Sequence, residues 1–287
     1  CMSSLKYRLF KNKLLTLSVV IFSALTAVPL VLIIGKVFLK GWRQINWDFF
    51  TKTTPTTLDA LLAINNNQPI PGGIANGIVG TLMMVLVASV IAIPLGVMCG
   101  IYLSENRKTK FSTVVRFLTD LLQGTPSIIL GIIAYLWVVI PLKGYSALAG
   151  SVALAIMMLP LIVRSTEETM NLLPASLKEA GLALGSPYRS VVLKVLLPSA
   201  FGGVFTGILL AVSRVIGETA PLMLTALGAT TIQWDITKPA SAVSLLIWEF
   251  YNDPNLQSMI WSASLFLLLL VLSLNILAKQ LAKKWRI

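Results

Sequence analysis

Leu172-Leu173-Pro174-Ala175-Ser176-Leu177-Lys178-Glu179-Ala180-Gly181-Leu182-Ala183-Leu184-Gly185 lies between two long apolar runs. Pro174 can open a helix, because the first turn has no use for its missing N–H. Gly185 can close it, with Pro187 beyond as a stop. Between them Leu177, Ala180, Gly181 and Leu184 recur at helical spacing on one face. The expectation is a short capped helix of about three turns. It sits between two membrane spans and exposes small residues that permit close approach.

The membrane setting follows from composition. The chain has 287 residues, is 56% hydrophobic and only 12% charged, with a mean hydropathy of +0.84. Soluble domains carry about 25% charged residues. A soluble fold of this size has no interior large enough to hide so much apolar side chain, so lipid must be its main solvent. The absence of histidine excludes His-based dyads, metal sites and proton relays. Cys1 and Cys99 form neither a CxxC motif nor a disulfide framework.

Outward from the quoted segment, six runs are long enough to span a bilayer, which takes about 20 apolar residues. They cover roughly 14–39, 74–103, 117–142, 145–163, 199–227 and 258–278. A Lys143–Gly144 hairpin joins the third and fourth, and 164–198 is the connector that holds the short helix. The whole of 1–287 is read as one transmembrane domain. Ala240–Phe250 is apolar over only 11 residues, which suits an interfacial or re-entrant helix. Asn65–Gly73, in the segment Lys40–Gly73, has turn and loop chemistry.

Orientation follows from positive charge. Lys6, Arg8, Lys11, Lys13, Arg107, Lys108, Lys110, Arg116, Arg164, Lys178, Arg189, Lys194, Lys279, Lys283, Lys284 and Arg286 fall on one side. That makes 16, against six on the other: Lys36, Lys40, Arg43, Lys52, Lys143 and Lys238. The remaining cation, Arg214, lies inside the fifth span. Both termini are therefore expected in the cytoplasm. The net charge of +12 tracks the membrane and does not point to nucleic acid. Trp42, Trp47, Trp137, Trp248 and Trp261 fall near the outer boundary and Trp285 near the inner one, as interfacial anchors. The first apolar run exceeds a signal-peptide core, so it is read as an uncleaved span.

The fifth span contains Arg214-Val215-Ile216-Gly217-Glu218-Thr219-Ala220-Pro221-Leu222. On a continuous helix Arg214 and Glu218 share a face. A charge at mid-bilayer costs at least about 2.5–3.5 kcal/mol, so both must face protein or a water-filled path. Gly217 and Pro221 invite a bend or a free N–H group. One reading is an internal salt bridge that fixes packing. The other is an anion path with Arg214 as the fixed cation, whose planar fork suits phosphate. Glu218 would then pair with Arg214 when the site is empty, meet a cation from another subunit, or be protonated. Gly124-Thr125-Pro126-Ser127, early in the third span, is either a packing kink or a gate element with freed backbone donors.

Two patterns carry a family resemblance. Glu179-Ala180-Gly181, three residues, Gly185, nine residues and Val195-Leu196-Leu197-Pro198 resemble the EAA motif of binding-protein-dependent ABC permeases. Gly181 and Val195 stand where the motif has Ala and Ile. Arg214 with Gly217-Glu218-Thr219-Ala220-Pro221-Leu222, and Gly124-Thr125-Pro126-Ser127, resemble segments of the PstA-type permeases of phosphate-specific ABC importers. The resemblance implies an all-helical, six-span type I importer permease of MetI-like fold in a bacterial inner membrane. It also implies a PstC-type permease partner in a heterodimer, two PstB-type ATPase subunits and a PstS-type extracytoplasmic phosphate-binding protein. Glu179, Ala180, Gly181, Leu184 and Gly185 would couple to the ATPase. Arg214, Gly217, Glu218 and Thr219 would line the phosphate path, and Gly124, Pro126, Ser127 and Pro221 would gate or kink it. The chain lacks G-x4-G-K-[ST], so ATP and Mg would be used by a partner chain and no cofactor or metal is expected on this one.

Three rivals are distinguishable. The same machine could carry another oxyanion, such as sulfate or molybdate. An ion-coupled secondary transporter would use Arg214–Glu218 as its coupling site, but leaves the EAA-like spacing without a role. A membrane-embedded enzyme has little to work with in a chain without histidine.

Overall fold

A computed structural model describes residues 2–66 and 68–284. Cys1, Asn67, Trp285 and Arg286 lie outside the described residues, so the expectations placed on them have no structural counterpart. Helices dominate. α1 (Met2–Gly41) is followed by two short helices, α2 (Trp47–Thr51) and α3 (Thr57–Asn65). Then come α4 (Ala75–Glu105), α5 (Lys110–Gly124), α6 (Ser127–Ala134) and, after a π-helical turn over Tyr135–Val139, α7 (Ile140–Leu142). α8 (Ala147–Asn171) leads to α9 (Ala175–Ala183) and α10 (Tyr188–Val191). A second π-helical turn, Val192–Leu196, continues into α11 (Leu197–Ile216). α12 (Ala220–Met223), α13 (Val243–Asn252) and α14 (Gln257–Lys284) complete the chain.

Among the described residues, five helical stretches are long and apolar enough to cross a membrane: Tyr7–Gln44, Ala75–Glu105, Ala147–Asn171, Tyr188–Ile216 and Pro254–Leu281. A sixth is obtained if the bent pair Lys110–Gly124 and Ser127–Leu142 counts as one span. α8 is the central post. Its apolar window is 67% buried, against 0% for that of Tyr7–Gln44, so α1 lies at the periphery with its sides open to lipid.

Small residues let the central helices touch, as they do wherever lipid removes the hydrophobic drive between helices. A Cβ on Gly96 would lie 2.7 Å from Ile162 Cγ2, and one on Gly100 would lie 2.6 Å from Thr166 Cβ; both join α4 to α8. On the other side of α8, a Cβ on Gly207 would lie 2.0 Å from the Ser165 hydroxyl and one on Gly203 would lie 2.3 Å from Thr169. The main core gathers around this post, with Met84, Leu154, Met158, Ile162, Val215 and Leu222 buried.

The structure revises three expectations. The run 117–142 is not one straight span, because the chain turns through 108° between Lys110–Gly124 and Ser127–Leu142. Thr125 precedes Pro126 and is extended, with ψ of 133°, as a pre-proline residue prefers. α5 carries Lys110, Arg116 and Asp120 on an otherwise amphipathic surface, so it lies apart from α6 as an elbow. The run 199–227 also breaks. Its helix begins earlier, at Tyr188, and stops at Ile216, and residues 217–227 fold back through the single turn of α12.

The third revision concerns Lys40–Gly73, which is more than loop. Thr56 and Asp59 form a reciprocal capping box that starts α3. Phe49, Ala60, Ala63, Ile70 and Ile74 join Val243, Leu246 and Phe250 in a second buried cluster. The Thr57 hydroxyl donates to Asp253 at 2.7 Å. That bond, and then the Asn255 backbone N–H, hold the Asp253 carboxyl below its usual range. The expected short helix near 240–250 is present as α13, packed on α4 and α14.

Candidate functional site

α11 ends where glycine and proline weaken its ladder. Gly217 caps it with φ of −90°, and the Glu218 N–H donates to the Val215 carbonyl at 3.2 Å. Glu218 therefore sits beyond the helix, and the four-residue register with Arg214 lapses. Among the described residues no salt bridge joins the two, which corrects the shared-face expectation. Arg214 is exposed on the flank of the isolated chain, between buried Ser213 and buried Val215 and Ile216. The Glu218 carbonyl accepts the Ser244 hydroxyl at 2.8 Å, which ties the break to α13. Gly217 borders a largely apolar cleft of about 530 Å³ between α1, α13 and α14. Thr219 lines a neighbouring recess with Trp248 and Tyr251.

Pro221 is buried in the first turn of α12. There it meets α6, since a Cβ on Gly131 would lie 2.7 Å from the Pro221 Cα. The fold thus brings the 217–222 break against the span that carries Gly124, Pro126 and Ser127. Pro126 caps α6 and receives the Ile129 N–H on its carbonyl at 3.0 Å. Gly124 has open space where a Cβ would stand, so nothing packed against it demands glycine. Sequence reading missed Gly131, whose apolar surroundings give no hint of a helix crossing.

The short helix stands at the other end of the helical stretch Tyr188–Ile216, whose start is roughly 40 Å from Arg214 by helical rise. It begins at Ala175 after Pro174 and ends at Ala183, with Leu184 as its cap. Gly185 takes φ of +76°, a left-handed conformation that closes helices at little cost to glycine. The face expected to carry Leu177, Ala180, Gly181 and Leu184 divides. Gly181 turns inward, where a Cβ would meet Val191 at 3.0 Å. Leu177, Ala180 and Leu184 are exposed, as are Glu179 and Leu182.

Lys178 fixes the helix in place. Its ammonium pairs with Glu105 at the end of α4 and lies 5.0 Å from the centre of the Tyr188 ring. The Tyr188 hydroxyl donates to the same carboxylate. α9 is thereby rooted on both α4 and the helix that starts at Tyr188.

A second ionic cluster lies beside it. Arg116 Nε donates to Glu167 Oε1 at 2.7 Å, Nη1 to the Arg107 carbonyl at 3.0 Å and Nη2 to the Leu103 carbonyl at 2.9 Å. One guanidinium therefore ties the elbow α5 to α8 and closes the carbonyl end of α4. Arg164 bridges Glu168 at 2.8 Å and Asp120 at 3.8 Å, a more exposed support of the same elbow. No group of three or more potential metal ligands occurs among the described residues.

Comparisons with known proteins find relatives of the chain in sequence and in fold. Residues 92–287 match the family described as "Binding-protein-dependent transport system inner membrane component". The phosphate transport system permease protein PstA of Yersinia pestis is 38% identical over 254 residues, 86% of each chain. That of Xylella fastidiosa is 39% identical over 246 residues, covering 84% of this chain and 82% of its own. PstA 1 of Mycobacterium tuberculosis is 32% identical over 279 residues, covering 96% and 88%. Among solved structures, a chain of the inward-facing MetNI methionine ABC transporter superposes with a TM-score of 0.63. It is 21% identical and covers 74% of this chain and 95% of its own.

Proposed function

Because this chain belongs to the binding-protein-dependent transport system inner membrane components, and among them to the PstA phosphate permeases, we infer that it forms one half of a phosphate import channel. It is a permease subunit, not an enzyme. A PstC-type permease completes the channel across the flank that exposes Arg214. Two PstB-type ATPase chains bind ATP and Mg and dock on α9, and a PstS-type protein delivers phosphate from outside. Both termini then lie on the cytoplasmic side of the inner membrane.

The observation that carries this reading is the rooting of α9. Its exposed surface offers Leu177, Glu179, Leu182 and Leu184, while its other flank is fastened to the ends of two long helices by Lys178 and Gly181. A push on α9 therefore moves α4 and α11 together. α11 carries Arg214 in its last turn, and the break beyond it bears on α6 through Pro221 and Gly131. Closure of the ATPases alternates the access of this path. Arg214 supplies two parallel N–H groups to phosphate oxygens, and Glu218, released from the Arg214 face, leaves that fork free.

The test is uptake of labelled phosphate into proteoliposomes that contain this chain with its co-purifying partners. Uptake is expected to require ATP and to ignore excess sulfate. Arg214→Gln is expected to lower it at least about tenfold, the loss of roughly one charged hydrogen bond of 1.5–3 kcal/mol, and Arg214→Lys less. Inhibition by sulfate would remove the substrate assignment. Uptake driven by an ion gradient without ATP would overturn the importer.

A further inference from the structure

α1 packs on α14 at its last turn, and the contact is close. A Cβ on Gly41 would lie 2.7 Å from Leu265 Cβ and 2.9 Å from the Trp261 carbonyl. The Ser262 hydroxyl donates to the Gly41 carbonyl at 2.6 Å. Above this rigid floor opens a recess of about 350 Å³ bordered by Lys40, Arg43, Gln44, Gln257, Ser258 and Trp261. No carboxylate among the described residues borders it. Among the described residues, neither Lys40 nor Arg43 has an ion-pair partner. The Lys40 ammonium lies 4.9 Å from the centre of the Trp261 ring.

The Gln44 amide adds an unmet demand. Nε2 reaches the Ser258 hydroxyl at 3.4 Å, while Oε1 is shut away from solvent without a partner. Turning the amide over only exchanges the roles, leaving a donor without a partner where there was an acceptor. Two unpaired cations border the same small space as the Gln44 side chain, whose amide oxygen is buried without a partner, at the level where tryptophan marks a membrane boundary.

We propose that this recess binds the phosphate group of an anionic glycerophospholipid. Lys40 and Arg43 contact the phosphate oxygens, and the Gln44 amide swings out of its buried position to meet a headgroup hydroxyl. Lys36, one turn deeper on the flank of Lys40, is exposed and reaches up along its own stem to the same layer. The acyl chains lie along the exposed apolar surface of α1, where Ile33 shares that flank. The lipid would act as a wedge that keeps the peripheral helix on α14, independently of the solute carried. Free phosphate presents the same oxygens to Lys40 and Arg43, but it has neither a headgroup hydroxyl nor acyl chains.

The test uses the permease purified with its partners, wild type and Lys40→Gln/Arg43→Gln, titrated separately with phosphatidylglycerol, phosphatidylcholine and inorganic phosphate. Native mass spectrometry and the thermal midpoint are the readouts. Expected are one retained phosphatidylglycerol per chain and a midpoint that rises with phosphatidylglycerol alone, both weakened at least tenfold in concentration dependence by the double variant. Arg43→Gln by itself, at an exposed position, gives an intermediate loss and serves if the double variant fails to assemble. Equal retention by wild type and variant would overturn the site. A midpoint raised by inorganic phosphate without lipid retention would overturn the lipid in favour of a soluble anion.

Discussion

Arg116→Ala is expected to destabilise the protein by roughly 3–5 kcal/mol, the usual cost of removing one partner from a buried ion pair. The Glu167 side chain is only 8% exposed and that of Arg116 25%. Deleting the guanidinium leaves the carboxylate with no cation at bonding distance among the described residues. It also removes the two donors that close the carbonyls of Leu103 and Arg107, at the end of a helix where the backbone has no further N–H to offer. Glu167→Ala leaves Arg116 its two carbonyl contacts and so costs less. Replacing both by methionine recovers the part of the loss that comes from the unpaired charge, while the carbonyls of Leu103 and Arg107 stay open as in Arg116→Ala. Thermal unfolding of the assembled permease in lipid nanodiscs measures the series. A drop below about 1 kcal/mol for Arg116→Ala would show that the elbow holds without this pair.

Gly80→Ala is expected to be the other severe change. Its Cβ would stand 2.0 Å from the Ser241 carbonyl oxygen and 3.1 Å from the Ser241 carbonyl carbon. Backbone cannot swing aside as a long side chain can, and this backbone is held on every side. The Ser241 hydroxyl accepts the Ala229 N–H at 2.8 Å and donates to the Ala229 carbonyl at 3.0 Å. Val243 N–H donates to the Thr81 hydroxyl at 2.9 Å, and Leu227 bridges Ala240. The same segment caps α8, with Ser146, Ala147 and Leu148 donating to the carbonyls of Thr225, Lys238 and Ile236. Overpacking of this kind costs about 1–3 kcal/mol where the surroundings can relax, and here they cannot relax without uncapping the central helix. Gly124→Ala is the control, since open space surrounds it, and a change within about 0.5 kcal/mol is expected. Parallel unfolding midpoints for the two variants decide it. Equal midpoints would mean that α4 and Ser241 are not in contact.

The difference between these two glycines could not be read from the chain. Both sit in apolar runs, and only the partner backbone tells them apart. What hydropathy could reveal was the number of long apolar runs and the short capped helix between two of them. Both properties are local, and α9 is placed by Pro174 and Gly185 alone. The breaks at Thr125–Pro126 and Gly217–Pro221 were visible as residue types, yet mean hydropathy runs on through them. Charge pairing was less accessible still. Arg116 and Glu167 are fifty-one residues apart, and a charge count records Arg116 as one more cation beside the membrane. The turn between the third and fourth spans shows the same limit. Lys143, not Gly144, occupies the left-handed region, with φ of 54°, because its N–H and that of Gly144 fold back onto the carbonyls of Ile140 and Val139.

The two π-helical turns also bear on how the gene can change length. Each holds one residue more than an α-helix of the same span needs. In Val192–Leu196 that residue lies inside the stretch separating Gly185 from Pro198. A codon lost elsewhere in Tyr188–Ile216 would break the hydrogen-bond ladder's fit to its neighbours and turn one end by about 100°. Lost within 192–196, it would only tighten a wide turn into an ordinary one, and the cost would fall on the angle between α9 and Arg214. That turn is the one place in the helix where the chain can shorten. Yet Val192–Lys194 also belong to the nine residues between Gly185 and Val195, so a relative that lacks one should depart from that spacing and set α9 at a different angle.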